Sequence, residues 1–131
     1  MRSILVESMA RDDLTICVID DAEAVRDSLQ LLLELESFTV QAFETCEDFL
    51  EWLPGNTGLC LVLDLHLPGM SGFELLERLN ADGQMFPTIL MTGRSDRAAR
   101  QQAEDLGALT LLDKPIDFSR LMEALDRATG N

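Results

Sequence analysis

The chain has little of what a zinc site, a disulfide scaffold, a nucleic-acid surface or a membrane span would need. It holds one histidine and three cysteines in 131 residues. Cys17, Cys46 and Cys60 fit no zinc spacing, and an odd count makes no disulfide framework. Basic residues are scarce: ten stand against twenty-four acids, for a formal charge of −14. That field repels phosphate backbones and argues against direct nucleic-acid binding by this domain, while favouring divalent cations and basic partner surfaces. No apolar run approaches the ~20 residues that a bilayer-crossing helix requires. Ile4-Leu5-Val6 ends at Glu7, too short for the apolar core of a secretion signal. With the unpaired cysteine count, these absences set the expectation of a reducing, cytoplasmic location and no membrane partner.

What is present reads as one globular domain, with 47% hydrophobic and 26% charged residues. A polar arm over residues 1–13 precedes a domain over 14–131, in which strand and helix patterns alternate five times. Strands are predicted near Thr15–Ile19, Thr39–Phe43, Leu59–Leu63, Thr88–Met91 and Ala108–Leu112. Between them Val25, Leu29, Leu32 and Leu33 recur at helical spacing, as do Phe73, Leu76 and Leu79, and finally Phe118, Leu121, Met122 and Leu125. Ser71-Gly72-Phe73-Glu74 is a capping box, Thr45-Cys46-Glu47-Asp48 a related helix start, and Gly107 stands where the fourth helix should stop. Alternation of this kind predicts an α/β fold: a doubly wound, five-stranded parallel sheet with helices on both faces. Right-handed crossovers leave the strand order 2-1-3-4-5 as the common solution.

Four polar signals sit at the ends of predicted strands. Asp20-Asp21 follows Ile16–Ile19, Asp64 follows Leu59–Leu63, Thr92 follows Ile89–Met91, and Lys114-Pro115 follows Leu111-Leu112. The carboxyl edge of a parallel sheet is where open α/β folds build their sites, and the switch point of this order lies between strands one and three. Three neighbouring carboxylates repel one another unless a cation joins them, and oxygen ligands with retained waters suit Mg²⁺. Lys114 adds a fixed positive charge and Thr92 a hydroxyl. The set describes a pocket for a dianion transferred onto a carboxylate. Each residue alone has a plainer reading: Asp21 as a helix cap, Asp64 and Thr92 as turn residues, Lys114 as a solvated charge. The conjunction on one edge, in this order, favours the site. His66 lacks a second histidine or cysteine partner and is not read as an imidazole metal ligand.

The motifs Val18-Ile19-Asp20-Asp21, Leu63-Asp64-Leu65-His66-Leu67-Pro68-Gly69-Met70-Ser71-Gly72, Met91-Thr92-Gly93 and Asp113-Lys114-Pro115 closely resemble those of the receiver domains of two-component response regulators. The resemblance covers about Leu14 to Ala128, and the stretch Ala24-Val25-Arg26-Asp27-Ser28-Leu29 is similar to FixJ-type receivers. It implies a flavodoxin-like fold in which Asp64 accepts a phosphoryl group from a sensor histidine kinase or a phosphotransfer protein. It further implies that Asp21, Asp64 and the backbone carbonyl of His66 bind Mg²⁺ directly, with Asp20 acting through water. Thr92 and Lys114 would hold the phosphoryl oxygens, and the Lys114–Pro115 peptide would be cis. Downstream, the resemblance implies an effector domain or protein, with a second copy of the chain as another partner. The expected protein is a signalling phosphoacceptor rather than an enzyme.

Three departures accompany the resemblance. Leu111 occupies the position, three before the lysine, where receivers usually carry Tyr or Phe. Arg94 and His66, each two residues beyond a site residue, border the expected acyl phosphate. The sequence ends at Asn131, which leaves the expectation of either a stand-alone receiver or one cut from a larger regulator. The fourth helix offers small inward residues, Ala99 and Ala103 with Leu106, and reads either as a loosely held element suited to switching or simply as an exposed helix. The competing reading is a pseudo-receiver, an interaction module that works without phosphorylation. A dehalogenase-type phosphatase would need an acid/base Asp where His66 stands, and a flavin module would not tolerate Asp20-Asp21 beside a phosphate.

Overall fold

In the computed structural model, residues 14–129 are described, and the arm expected over 1–13 lies outside them. Five strands alternate with five helices: β1 (Thr15–Ile19), α1 (Glu23–Leu35), β2 (Thr39–Phe43), α2 (Cys46–Trp52), β3 (Leu59–Asp64), α3 (Gly72–Ala81), β4 (Thr88–Thr92), α4 (Arg97–Asp105), β5 (Thr110–Asp113) and α5 (Phe118–Ala128). All neighbouring strands pair in parallel, in the order β2-β1-β3-β4-β5. Every residue of β3 and β4 is buried, as expected of strands covered on both faces.

The alternation of side chains along each strand divides the core in two. On one face Ile16, Val18, Cys60, Val62, Ile89 and Met91 pack against Leu29 and Leu33 of α1 and Leu121 and Leu125 of α5. On the other, Cys17, Ile19, Leu61, Leu63 and Leu90 pack against α2, α3 and Ala103 of α4. Val18 pairs with Val62, and two residues further along the same face lie Asp20 and Asp64. Asp64 in turn pairs with Met91, and Met91 with Leu112. Lys114, two beyond Leu112, continues that row outward. The period of two therefore carries Asp20, Asp64 and Lys114 to one face of one sheet edge.

The expected helix signals hold in detail. Ser71 and Glu74 form a reciprocal capping box, and the Thr45 hydroxyl accepts from the Asp48 N–H. At the end of α4 the N–H of Gly107 bonds to Glu104 and that of Ala108 to Ala103, the double closure of a Schellman motif, with Gly107 at φ 82°. That closure corrects the fifth strand, expected from Ala108: the Ala108 N–H is spent on the helix, and the strand starts at Thr110. Val25, Leu29, Leu32 and Leu33 do lie on one helix, of which Leu29 and Leu33 are buried and Leu32 is 37% exposed. Among the described residues no helix is long and apolar enough to cross a membrane.

Candidate acidic phosphoryl site

Asp20 directly follows the last residue of β1, fully buried, and Asp64 ends β3 at 4% exposure. Burial of two carboxylates is expensive unless their oxygens are partnered, and here they are. Asp20 Oδ1 accepts from the Ala22 N–H at 2.9 Å, and Oδ2 accepts from Lys114 Nζ at 2.7 Å. Asp64 Oδ1 accepts from the His66 N–H at 3.2 Å, and Oδ2 from the same ammonium at 3.1 Å. One lysine thus bridges two acids that would otherwise repel. Burial pushes the Asp64 carboxyl above its ordinary range, against the opposing pull of the His66 N–H and Lys114. Burial also weighs against the Lys114 ammonium, but hydrogen bonds to Asp20 and Asp64 outweigh it, and its pKa rises. Lys114 is charged throughout the physiological range.

Asp21 completes the acidic group. One oxygen from each of Asp20, Asp21 and Asp64 can be chosen so that all lie within 4.8 Å of one another. The capping alternative for Asp21 fails, since Ala22 occupies the N-cap position and its N–H is taken by Asp20. Asp21 is exposed, and its carboxylate makes no hydrogen bond or ion pair among the described residues. A donor set of three clustered carboxylates, one of them unengaged, fits a hard divalent cation such as Mg²⁺.

The structure gathers Asp20, Asp21, Asp64 and Lys114, while Thr92 beside them is engaged in its own turn. Its buried hydroxyl donates to the Arg94 carbonyl at 3.1 Å and accepts from the Arg94 N–H at 3.2 Å, so the turn reading of Thr92 holds too. The Lys114 N–H bonds to the Thr92 carbonyl, which places the two residues side by side, and the Lys114–Pro115 peptide is cis. The side chain of Arg94 is exposed and makes no ion pair among the described residues. Leu111 is buried within the core face of α2, α3 and α4.

Two supports escaped the sequence reading. Arg26 donates to the backbone oxygen of Asp20 at 2.8 Å. Glu47, at the start of α2, accepts from the Met70 N–H at 2.9 Å and so ties α2 to the loop after Asp64. Both contacts involve main-chain groups, which leave no trace in residue spacing.

Comparison with known proteins identifies the family and the fold. Residues 16–126 match the family described as response regulator receiver domain. The transcriptional regulatory protein FixJ of Bradyrhizobium diazoefficiens is 42% identical over 113 residues, 86% of this chain and 55% of that protein. FixJ of Rhizobium meliloti is 36% identical, over 89% of this chain and 57% of that protein. The chain thus spans a little over half the length of these relatives. The crystal structure of the N-terminal part of FixJ superposes with a TM-score of 0.82 at 35% identity, covering 91% of this chain and 95% of that one.

Proposed function

Because the chain belongs to the response regulator receiver family of two-component signalling, we propose that Asp64 is its phosphoryl acceptor and that Mg²⁺ is required. The observation that carries this reading is the bridging of Asp64 and Asp20 by Lys114 beside the unengaged Asp21 carboxylate. Asp64, Asp21 and the His66 carbonyl would hold the ion, with Asp20 behind them. When bound, Mg²⁺ offsets the charge of the carboxylates and of the phosphoryl oxygens.

In the proposed transfer an Asp64 oxygen attacks the phosphorus of a phosphohistidine in line. The new O–P bond forms as the P–N bond breaks, and the electron pair returns to the imidazole nitrogen. Lys114 holds positive charge where the phosphoryl oxygens arrive, with less desolvation to overcome because its ammonium is already partly buried. For Thr92 to donate to a phosphoryl oxygen, its hydroxyl must release the Arg94 carbonyl. That exchange loosens the β4–α4 loop, and α4, which buries only Ala103, is the element it would bias. Leu111 offers no aromatic ring to follow the movement, so the loop backbone carries it.

The protein partners implied are a sensor kinase or phosphotransfer protein and a downstream effector, and a cytoplasmic location accompanies them. The phosphohistidine donor must cover the surface around Asp64. Its apolar footing would be a groove of about 310 Å³ between α1 and the β5–α5 loop, lined by Val25, Leu29, Leu32, Ile116 and Phe118 and reaching Lys114.

Intact mass after incubation with acetyl phosphate and Mg²⁺ tests the reading, beside Asp64→Asn and an EDTA control. A single phosphoryl adduct, absent from both controls, is expected. No adduct on the native chain, even from a phosphohistidine donor, would instead favour the phosphorylation-independent interaction module.

A further inference from the structure

The peptide joining Asp20 to Asp21 is gripped by a side chain for which the proposed transfer has no use. Arg26, near the start of α1, donates from Nη1 to the Asp20 backbone oxygen. That oxygen lies in the planar unit leading into Asp21, so holding it fixes one of the planes from which the Asp21 side chain departs. Asp20 itself is restrained at every polar atom: its N–H bonds to the Phe43 carbonyl, Oδ1 to Ala22 and Oδ2 to Lys114. Asp21 has no comparable tether, since its carboxylate is exposed and unengaged among the described residues. The acid expected to meet the cation directly is therefore the one whose placement depends on its backbone.

We propose that Arg26 is a positioning residue for cation binding, holding the Asp20–Asp21 peptide so that Asp21 stays gathered with Asp20 and Asp64. The inference rests on the assignment of these three acids to Mg²⁺. Its sign separates it from simple electrostatics. A guanidinium near three carboxylates repels a cation, so by Coulomb's law alone its removal strengthens Mg²⁺ binding. A positioning role predicts the reverse, because groups that orient metal ligands are typically worth about 10- to 100-fold in affinity.

Calorimetric Mg²⁺ titration of the full chain decides between them, using the native protein, Arg26→Met, Arg26→Lys and Asp21→Asn, with thermal unfolding of each in EDTA. Arg26→Met should weaken Mg²⁺ binding by about 10-fold. Arg26→Lys should recover part of the loss, since an ammonium still donates to a carbonyl but without the fixed planar fork. In phosphorylation by acetyl phosphate, Arg26→Met should raise the Mg²⁺ needed for half-maximal rate, with the rate at saturating Mg²⁺ restored. Unchanged or tighter binding by Arg26→Met overturns the proposal. So does an equal loss in both variants accompanied by a lowered melting temperature in EDTA, which would make Arg26 a general support of the fold. A native chain that binds no Mg²⁺, or an Asp21→Asn variant that binds it as well as the native chain, would remove the ion-site reading itself.

Discussion

A β-carbon on Gly72 would stand 2.6 Å from the carbonyl oxygen of Asp64 and 3.0 Å from the Cα of Leu65. The first residue of α3 therefore rests directly on the backbone of the proposed acceptor. Both clashing atoms are main chain and cannot rotate aside. In a free helix Gly→Ala is worth up to about 1 kcal/mol of stability. Here Gly72→Ala should destabilise by about 1–3 kcal/mol, because β3 or α3 must shift. Urea unfolding gives the sign, and a stabilised variant would show that the contact yields easily.

Lys114→Met keeps most of the side-chain length and removes the charge that Asp20 and Asp64 share. Phosphoryl adduct formation should fall by roughly 100-fold, the usual cost of losing one preorganised donor to a developing anion. Mg²⁺ affinity should not fall, since a competing cation has been removed. A parallel loss of both would assign Lys114 to holding the pocket together rather than to the transfer.

Arg94 projects from the β4–α4 loop two residues beyond Thr92, exposed and without an ion-pair partner among the described residues. It is free to cover an acyl phosphate on Asp64 and keep water from it. Arg94→Ala should speed decay of the phosphorylated form by on the order of tenfold, about 1.4 kcal/mol of barrier. Unaltered decay, followed by loss of the mass adduct over time, would remove Arg94 from the mechanism.

Leu32 tests the proposed footing of the donor protein. Leu32→Glu should slow phosphorylation by a phosphohistidine protein while leaving that by acetyl phosphate unchanged, since the small molecule needs no docking surface. Equal rates with both donors would place the docking surface elsewhere.

Asp117 supplies a pH dependence away from the site. Its carboxylate caps α5, and hydrogen bonds from the Ser119 hydroxyl and then the Ser119 N–H hold it below its ordinary 3.8. A depressed carboxyl binds fewer protons folded than unfolded, so its contribution is present above pH 3.8 and is lost as pH falls through the lower folded value. The melting difference between the native chain and Asp117→Asn should therefore hold steady at pH 5–7 and shrink toward zero in that acid window.

Much of the fold could be read from the sequence because burial leaves a pattern. Leu59–Leu63 is a fully buried strand and reads as one, and the ends of β1, β3 and β5 mark the edge where Asp20, Asp64 and Lys114 meet. Helical spacing does not say how wide a seat the sheet offers: Leu29 and Leu33 fill it, and Leu32 on the same stripe is left 37% exposed. Ala108 looked like strand because apolar character does not reveal which N–H closes the preceding helix. Arg26 on the Asp20 carbonyl and Gly72 on that of Asp64 were illegible for a common reason. The partner is a peptide group, present at every position and so invisible at any one.

The division of the core by the sheet also decides the fate of the sulfurs. Cys17 and Cys60 are on adjacent strands, yet Cys17 belongs to the face of α2 and α3 and Cys60 to that of α1 and α5. Neither strand can turn one residue over without exchanging the side chains packed on both faces of the core, so no disulfide joins them in the folded chain. Burial also pushes both thiols up to about 12, leaving almost no thiolate at neutral pH. An oxidant can crosslink these cysteines only after the sheet has come apart, which makes their oxidation a record of unfolding.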